Sequence, residues 1–379
     1  MEKEIRIAIA GVGNCASSLL QGIEYYKHTQ SKNQAGLAFP TVAGYLPQHI
    51  KVVCAFDVDA RKVGLPLEQA IFAKPNCTTV FWKELPCYNV AVQMGPVLDG
   101  VAPHMSHYPE SETFKSSQIP PVDVVQELKS ARAEILMCYL PVGSEQAVKF
   151  YAKACLEAGV AMINCIPVFI ASNPEWAQEF KKRGLPLVGD DIKSQFGATL
   201  LHRIIARSMT DKGIKIKRTY QLNTGGNTDF LNMLEQSRLK SKKKSKTQSV
   251  QSQLDIPLAP ENIHIGPSDY VPWQKDNKVC FLRIEAEGFG GVPLNLEARL
   301  SVEDSPNSAG VAIDAIRFVK VALDRNISGP LIEASAFTMK SPPVQMRDSE
   351  AFKATQEFVN APGENRTHEA VIFLSENAT

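Results

Sequence analysis

The chain is 379 residues long, 44% of them hydrophobic, and its formal net charge is +1. This length predicts about two domains with a sizeable core. The near-neutral charge argues against a general nucleic-acid binder, which is basic overall, and no apolar run reaches the roughly 18 residues that a membrane helix needs. The eight cysteines form no C-x-x-C pair, and the chain starts with charged residues rather than a leader. We therefore expect a cytoplasmic protein with no nucleic-acid or membrane partner.

A glycine-rich turn follows the first predicted strand. The apolar strand Ile5–Ala10 runs into Gly11-Val12-Gly13-Asn14-Cys15-Ala16, and a helix-like segment comes next. A strand, a G-x-G-x-x-A turn and a helix in this order are typical of a dinucleotide-binding fold. There Gly11 makes the tight turn, Gly13 lets the backbone approach a pyrophosphate, and Ala16 lets the helix pack closely on the strand. The alternative is a glycine-rich turn that binds no ligand.

The second predicted strand, Ile50–Asp57, ends in an acidic residue. An acid at this position binds the adenine ribose and favours NAD over NADP, so Asp57 is the candidate. Asp59 is a second candidate, and either acid could instead cap the next helix. Residues 28–47 form a polar insertion between the glycines and this strand. Residues 75–120 are predicted to be an irregular surface excursion that takes part in subunit contacts.

Strands alternate with helices in the following part of the chain. The predicted strands are 134–143, 161–167 and 185–188, and the predicted helices are 144–158 and 200–208. This alternation predicts an α/β fold with a Rossmann-like, doubly wound parallel sheet. Pro141 lies in the loop after the first of these strands, at the sheet edge that lines dinucleotide sites.

Polar side chains crowd the loop after residue 188. Two acids, a lysine and three side chains with a hydroxyl or amide precede the next predicted helix: Asp190, Asp191, Lys193, Ser194, Gln195 and Thr199. A helix start with such side chains is a good cradle for phosphate oxygens. Ordinary helix capping is the alternative interpretation.

The sequence pattern changes at residue 214. Three segments then alternate apolar and polar residues, which predicts strands of a mixed or antiparallel sheet in a second α+β domain: 214–223, 279–287 and 295–302. We expect residues 1–200 to form a dinucleotide-binding domain and 201–324 to form a catalytic and oligomerisation domain. Residues 325–379 are expected to return to the first domain.

A lysine-rich segment lies within this second region. It holds five lysines in the seven positions from Lys240 to Lys246. So many like charges on a short segment are costly unless something anionic lies nearby. The preceding residues predict a helix, on which Lys242 and Lys246 share one face. A solvated basic loop or a nucleic-acid patch is the alternative.

These motifs together resemble those of prokaryotic myo-inositol-1-phosphate synthases. The resemblance extends from about residue 4 to 345 and rests on the N-terminal glycine turn and six further motifs: Gly189-Asp190-Asp191-Ile192-Lys193-Ser194, Asn223-Thr224-Gly225-Gly226-Asn227, Ser241-Lys242-x-x-Ser245-Lys246, Asp276-Asn277-Lys278, Val302-Glu303-Asp304-Ser305 and Met339-Lys340-Ser341-Pro342.

The resemblance implies a redox-neutral isomerase that converts glucose 6-phosphate to inositol phosphate with NAD regenerated in each turnover. The implied steps are oxidation of carbon 5, enolisation, aldol closure onto carbon 1 and reduction of the new ketone. The resemblance also implies a homotetramer and, in many members, a monovalent or divalent cation, for which the sequence offers no dedicated ligand cluster. The alternatives are an NAD-dependent dehydrogenase or related carbocycle-forming enzyme on another sugar phosphate, and a non-catalytic nucleotide or nucleic-acid binder.

The resemblance also implies roles for individual residues. Lys242, Lys278 and Lys340 would face the reacting oxygens, Asp304 would orient a lysine or a substrate hydroxyl, and Asp276 would support Lys278. Crowding of the lysines would lower the pKa of one of them enough for proton transfer. The phosphate would be held by Lys246, Ser194, Gln195 and Thr199, and NAD by Gly11, Gly13, Asn14, Cys15, Ala16, Asp57, Pro141, Asp190 and Lys193.

Overall fold

The strands of the protein form two sheets, one of seven strands and one of four. The computed structural model describes residues 3–29 and 35–361. The strands are β1 Ile5–Ala10, β2 Ile50–Asp57, β3 Gln93–Met94, β4 Ile135–Cys138, β5 Ala161–Asn164, β6 Pro186–Val188, β7 Lys215–Gly225, β8 Ile263–Tyr270, β9 Asn277–Glu287, β10 Pro293–Glu303 and β11 Gly329–Pro330. The helices are α1 Asn14–His28, α2 Leu67–Ala70, α3 Val124–Ser130, α4 Glu145–Ala158, α5 Pro174–Lys182, α6 Ala198–Asp211, α7 Thr228–Asn232, α8 Lys240–Gln251, α9 Asp304–Asp324, α10 Ile332–Thr338 and α11 Asp348–Asn360.

The seven-stranded sheet is parallel and has helices on both faces. Its order is β11-β6-β5-β4-β1-β2-β3. Alternate residues of β1 point to opposite faces, so Ile7 and Ile9 pack with α1 and α9 while Ala8 and Ala10 pack with α3, α4 and α5. A sheet buried on both faces explains the nearly continuous apolar strands of the sequence. The prediction of a Rossmann-like, doubly wound sheet is confirmed.

The strand order reverses at β1, which lies between β2 and β4. The chain leaves β1 at Gly11 and leaves β4 at Tyr139, and these two residues lie side by side at the carboxyl edge of the sheet. Such a reversal opens the crevice in which parallel α/β sheets bind their ligands.

The four-stranded sheet is mixed, in the order β10-β9-β7-β8. Helix α6 covers one face, where Leu201 and Ile205 pack on Leu282 and Ile284. Strand β8 is absent from the sequence prediction. It lies at the edge of the sheet and pairs with β7, and it contains Pro267, a residue that edge strands tolerate and that breaks the expected alternation.

Two parts of the predicted organisation differ in the structure. Helix α9 packs in the core of the parallel sheet, so the chain returns to that sheet at Asp304 rather than near residue 325. Strand β11 then pairs with β6 beyond it, and the predicted return of residues 362–379 lies outside the described residues. The predicted strand 134–143 also ends earlier, at Cys138, because the backbone turns into the crevice there.

Residues 75–120 are largely irregular, as expected, with only β3 and a 3₁₀ turn at Pro103–His107. No helix in residues 3–29 and 35–361 combines the length and apolar character that a bilayer crossing requires.

Candidate active site

One cavity extends from the carboxyl edge of the parallel sheet to the mixed sheet and α8. Most of the residues predicted to bind cofactor or substrate line it, including every predicted lysine: Gly11, Gly13, Asn14, Cys15, Asp57, Pro141, Lys193, Ser194, Thr199, Lys242, Lys246, Lys278, Asp304 and Lys340. Ala16, Asp190, Gln195 and Asp276 are not among its lining residues. The structure therefore joins the glycine turn and the lysines in one site.

The glycine turn forms one end of the cavity. Gly11 has a φ of +96°, and a Cβ there would lie 2.7 Å from the carbonyl oxygen of Tyr139, so only glycine fits. A Cβ on Gly13 would meet nothing within 4 Å, because this residue faces open space. Helix α1 begins directly after it with no acidic residue in its first turn and no side-chain cap. Its first N–H groups are thus free to bind an anion.

The carboxylate of Asp57 lies beside this turn. Its Oδ2 accepts a hydrogen bond of 2.7 Å from the amide of Val12, and its Oδ1 accepts from the amides of Val58 and Asp59. The strand-end acid is therefore locked to the middle residue of the glycine turn. Asp59, the second candidate, is fully buried in an ion pair with Arg61 and does not line the cavity.

Four lysines from three parts of the chain meet at the other end. Lys242 and Lys246 lie one turn apart on α8, Lys278 lies at the start of β9, and Lys340 follows α10. Their side chains are all at most 15% exposed. The basic segment is helical as predicted, but it is a separate helix, joined to α7 by a 3₁₀ turn at Gln236–Leu239.

Asp191 anchors part of this cluster. The Lys340 ammonium donates hydrogen bonds to Asp191 Oδ1 at 3.0 Å and to the carbonyl of Ile192 at 2.6 Å. Ser245 on α8 donates to Asp191 Oδ2 at 2.6 Å. Burial alone would raise the pKa of Asp191, but Lys340 and Lys242 outweigh it, and the pKa lies below its ordinary value. Asp191 therefore stays ionised and links Lys340 to helix α8, which carries Lys242 and Lys246.

Asp304 pairs with Lys278 at the start of α9. Burial acts to raise the pKa of Asp304, but the ammonium groups of Lys278, Lys340 and Lys242 hold it below its ordinary value. Burial acts to lower the pKa of Lys242, but Asp191, Asp229 and Asp304 outweigh it, and that pKa is raised. Lys242 is thus a firmly charged lysine, and it is not the one whose pKa crowding is expected to lower.

Lys246 has a different environment from its neighbours. It is 8% exposed and makes no hydrogen bond or ion pair with any described residue. Burial, followed by the charges of Lys242, Lys278 and Lys340, lowers its pKa to about 7. An uncompensated buried ammonium is costly without an anion. Thr199 and the uncapped start of α6 line the same end of the cavity, so this region is suited to bind phosphate.

Two residues of the loop after β6 lie elsewhere than predicted. Asp190 is fully buried, and its carboxylate accepts hydrogen bonds from Asn164 and from the amides of residues 170–172. Burial raises its pKa to about 6. Gln195 donates to the carbonyl of Gly36, outside the cavity. We assign Asp190 to bracing the 170–172 loop and assign Gln195 no ligand contact, because their polar atoms are already engaged.

Three further predicted residues also have structural contacts. Asp276 does not contact Lys278; it accepts from the amide of Ser305 at 3.1 Å and from Asn227, and so caps α9. The Lys193 ammonium donates to the carbonyl of Ala336 and to Asp348, away from the cavity, and burial lowers its pKa to about 8. Ala16 lies fully buried in the core, in agreement with the packing role of the motif.

Several residues that line the cavity have no site role predicted from the sequence. They are Asp191, Gln221, Asn223, Asn227 and Asp229. A role for Asp191 could not be predicted, because the sequence does not show which of the two adjacent acids, Asp190 or Asp191, faces the lysines. In the part of the chain that the structure describes, no group of three or more His, Cys, Asp or Glu side chains could hold a metal ion.

Comparison with known proteins identifies the family. An inositol-3-phosphate synthase from Mycobacterium tuberculosis is 53% identical over 357 residues, which cover 94% of this chain and 96% of that protein. The profile of the myo-inositol-1-phosphate synthase family matches residues 197–305. This chain belongs to the myo-inositol-1-phosphate synthase family. The resemblance inferred from the motifs is confirmed.

Solved structures of the same fold agree with this assignment. The crystal structure of Ari2 is 34% identical, with a TM-score of 0.74, and the match covers 94% of this chain and all of that one. An inositol-3-phosphate synthase from Caenorhabditis elegans is 15% identical, with a TM-score of 0.73, and the match covers 100% of this chain and 90% of that one. At such low identity the second likeness shows the fold alone.

Proposed function

We propose that this member of the family converts D-glucose 6-phosphate to 1D-myo-inositol 3-phosphate, with NAD as a cofactor that is regenerated in each turnover. The observation that carries the proposal is the cavity that contains both the glycine turn and four converging lysines. A dinucleotide site alone would fit many dehydrogenases. A cluster of buried ammonium groups beside it suits a reaction in which negative charge develops repeatedly on oxygen.

The residues at the glycine-turn end fit a dinucleotide. The open space at Gly13, the uncapped start of α1 and the strand-end acid Asp57 match the pyrophosphate and ribose positions of this fold. Asn14, Cys15 and Pro141 line the same region. Bound NAD supplies a hydride acceptor, and later in the same turnover a hydride donor.

Lys340 is the residue we assign to proton transfer at the carbon 5 hydroxyl. Burial lowers its pKa below the ordinary lysine value. Its ammonium is already held by Asp191 and the carbonyl of Ile192, so its Nζ has a fixed position in the cavity. A lysine with a lowered pKa can accept the hydroxyl proton at Nζ and return it when the ketone is reduced.

Lys242 and Lys278 stabilise the negative charge that forms on the enolate and on the aldehyde oxygen. Lys242 keeps its charge because Asp191, Asp229 and Asp304 raise its pKa against the effect of burial. Lys278 is oriented by its ion pair with Asp304. Fixed cations in a site with little water lower the energy of such oxyanions without reorganising during the reaction.

Lys246 and the start of α6 hold the substrate phosphate. The ammonium has no counter-charge within hydrogen-bonding distance among the described residues, and Thr199 and Ser194, which line the same cavity, offer hydroxyl donors. Burial keeps this ammonium dry, so an arriving dianion relieves the cost of its isolation. The phosphate therefore sets which end of the sugar faces the other lysines.

The proposed enzyme is a cytoplasmic homotetramer. Support for self-association comes from β10, an 11-residue strand that, among the described strands, pairs with β9 alone. Leu294 on β10 and Phe289 and Val292 just before it are exposed, which leaves an apolar edge for another copy of the chain. Mass photometry should show four copies of the 41.6 kDa chain; a monomer at working concentrations would contradict the proposal. Any activating cation would bind through isolated carboxylates, substrate or cofactor.

The direct test is incubation of the purified protein with glucose 6-phosphate and NAD⁺. Inositol phosphate should accumulate over many turnovers while absorbance at the NADH wavelength stays flat. Stoichiometric NADH would instead identify a dehydrogenase, and no product with any sugar phosphate would exclude an enzyme of this type.

A further inference from the structure

Lys62 is a buried lysine that none of the catalytic assignments uses. It lies in the turn after β2, is 1% exposed, and lines the cavity beneath the glycine turn. A lysine so deeply buried is rare unless its ammonium group has partners. Its position is at the dinucleotide end, far along the chain from the four lysines at the other end.

The partners of Lys62 are parts of the dinucleotide end itself. Its ammonium donates to the carbonyl of Val12, the middle residue of the glycine turn, at 2.9 Å. It also donates to Asn76 Oδ1 at 2.8 Å and lies 3.9 Å from Asp57 Oδ2. Asn76 in turn donates to the same Val12 carbonyl at 3.1 Å. All three directions of the ammonium are therefore occupied or faced by an acceptor.

These contacts engage both polar groups of Val12. Its amide donates to Asp57, and its carbonyl accepts from Lys62 and Asn76. Hydrogen bonds thus join the turn to the strand-end acid and to the buried lysine, and an ion pair of 3.9 Å links the acid and the lysine. The amides around Asp57 position its carboxylate, and Lys62 places a full positive charge 3.9 Å from its Oδ2.

We propose that Lys62 is a positioning residue of the dinucleotide site, which fixes the glycine turn and offsets the charge of Asp57. The proposal rests on the proposed use of NAD. Without Lys62 the Val12 carbonyl loses its charged donor, and the Asp57 carboxylate is left beside the cofactor with no ammonium near it. Both changes weaken binding of the dinucleotide and leave the phosphate end, built by other residues, unchanged.

The experiment measures NAD⁺ affinity by titration calorimetry on the full-length protein. We expect Lys62→Met to raise the Kd for NAD⁺ about tenfold or more, because a hydrogen bond from a charged group is lost, and to leave the KM for glucose 6-phosphate within about twofold. Lys320→Met is the matched control: it also removes a paired lysine, one on α9 away from the cavity that forms ion pairs with Glu134 and Asp324, and it should leave both quantities unchanged.

A double substitution separates positioning from a general loss of stability. In the Asp57→Asn background, Lys62→Met should cost several-fold less NAD⁺ affinity than in the unmodified protein, because the charge that it offsets is gone. If the two losses simply multiply, or if Lys62→Met binds NAD⁺ as tightly as the unmodified protein, the proposal is wrong. Lys62→Gln, which keeps a donor without the charge, gives the same comparison if the Met variant does not fold. Failure of the unmodified protein to bind NAD⁺ would contradict the proposed function instead.

Discussion

The two ends of the cavity are built in opposite ways. The dinucleotide end comes mainly from one local segment, Gly11 to Asn14, and we propose that its backbone groups make most of the contacts with the cofactor. The lysine end comes from α8, the start of β9 and the segment after α10, and its side chains carry the charge. The difference shows that backbone geometry can be encoded locally, whereas a cluster of ammonium groups has to be assembled by the tertiary fold.

The lysine end also differs in how its charges are balanced. Asp191 and Asp304 are shared among three of the lysines, while Lys246 has no carboxylate partner within ion-pairing distance among the described residues. The carboxylates raise the pKa of Lys242 against the effect of burial, whereas burial and the neighbouring lysines lower the pKa of Lys246 to about 7. We therefore propose that the same residue type serves as a fixed charge at Lys242 and as an anion-binding group at Lys246.

Lys242→Met should give the largest separation between the two ends. We expect kcat to fall by at least about 10³-fold because a fixed cation at a developing oxyanion is lost, with the Kd for NAD⁺ within about twofold. Lys243→Met is the matched control: that side chain is exposed on the same helix and contacts Gln236. Steady-state kinetics and calorimetry on both variants measure the effect. A Lys242→Met variant that keeps its activity would contradict the role assigned to the lysine end of the cavity.

Asp191→Asn should have the next largest effect. It removes the charge that holds Lys340 and weakens the acceptor for Ser245, so we expect kcat to fall about 10²-fold. Asp190→Asn changes the adjacent acid, which braces the 170–172 loop. It should lower the unfolding temperature with kcat within about threefold. Equal losses of kcat in the two variants would contradict the different roles assigned to these acids.

The lowered pKa of Lys246 predicts proton uptake when the sugar phosphate binds. In the free protein this ammonium loses its proton as the pH rises through about 7, and the phosphate dianion favours the charged form. Binding at pH 8 should therefore take up close to one proton, and the KM for glucose 6-phosphate should rise with pH, by up to about tenfold per unit. Calorimetry in buffers of different ionisation enthalpy measures the uptake.

Lys246→Met provides the control for this pH effect. The variant should bind the sugar phosphate weakly at every pH and show no proton uptake. Uptake that persists in the variant would assign the titrating group elsewhere. The lowered pKa of Lys246 also makes the stability of the fold depend on pH. Because this pKa lies below the ordinary value of 10.5 in the folded state, the folding free energy should become more favourable as the pH rises from 7 to 10.5.

Gly13→Ala should have the smallest effect and act only on the dinucleotide end. The added Cβ enters open space, so the fold should tolerate it. It also occupies the path by which the backbone approaches a pyrophosphate, and we expect NAD⁺ to bind about tenfold more weakly. An unchanged Kd, measured by calorimetry, would show that the cofactor lies elsewhere in the cavity.

The same contrast explains what the sequence could predict. The strand, glycine turn and helix at the N-terminus follow from local spacing, as does the shared face of Lys242 and Lys246 on α8. The resemblance to a family supplied Lys278 and Lys340, which lie far apart in the chain. Which residues pair with them could not be predicted, because pairing depends on how the sheets and loops pack.

The contacts of two particular residues illustrate this limit. Asp276 lies two residues before Lys278 in the sequence, yet its carboxylate caps α9. The antiparallel register of β9 and β10 instead brings Asp304 to Lys278. Gln195 was placed at the phosphate by its sequence position, but its side chain turns to the Gly36 carbonyl. The direction of a side chain in a loop depends on tertiary contacts, which the spacing of residues in the sequence does not reveal.

The central claim is that the glycine turn and the lysine cluster act on one substrate in one cavity. The most direct test uses glucose 6-phosphate carrying deuterium on carbon 5, with NAD⁺ and an excess of unlabelled NADH in solution. We predict that the deuterium is retained in the inositol phosphate, because the same bound cofactor removes and returns it. Deuterium found in the free NADH pool, or a product that carries hydrogen from that pool, would contradict the account.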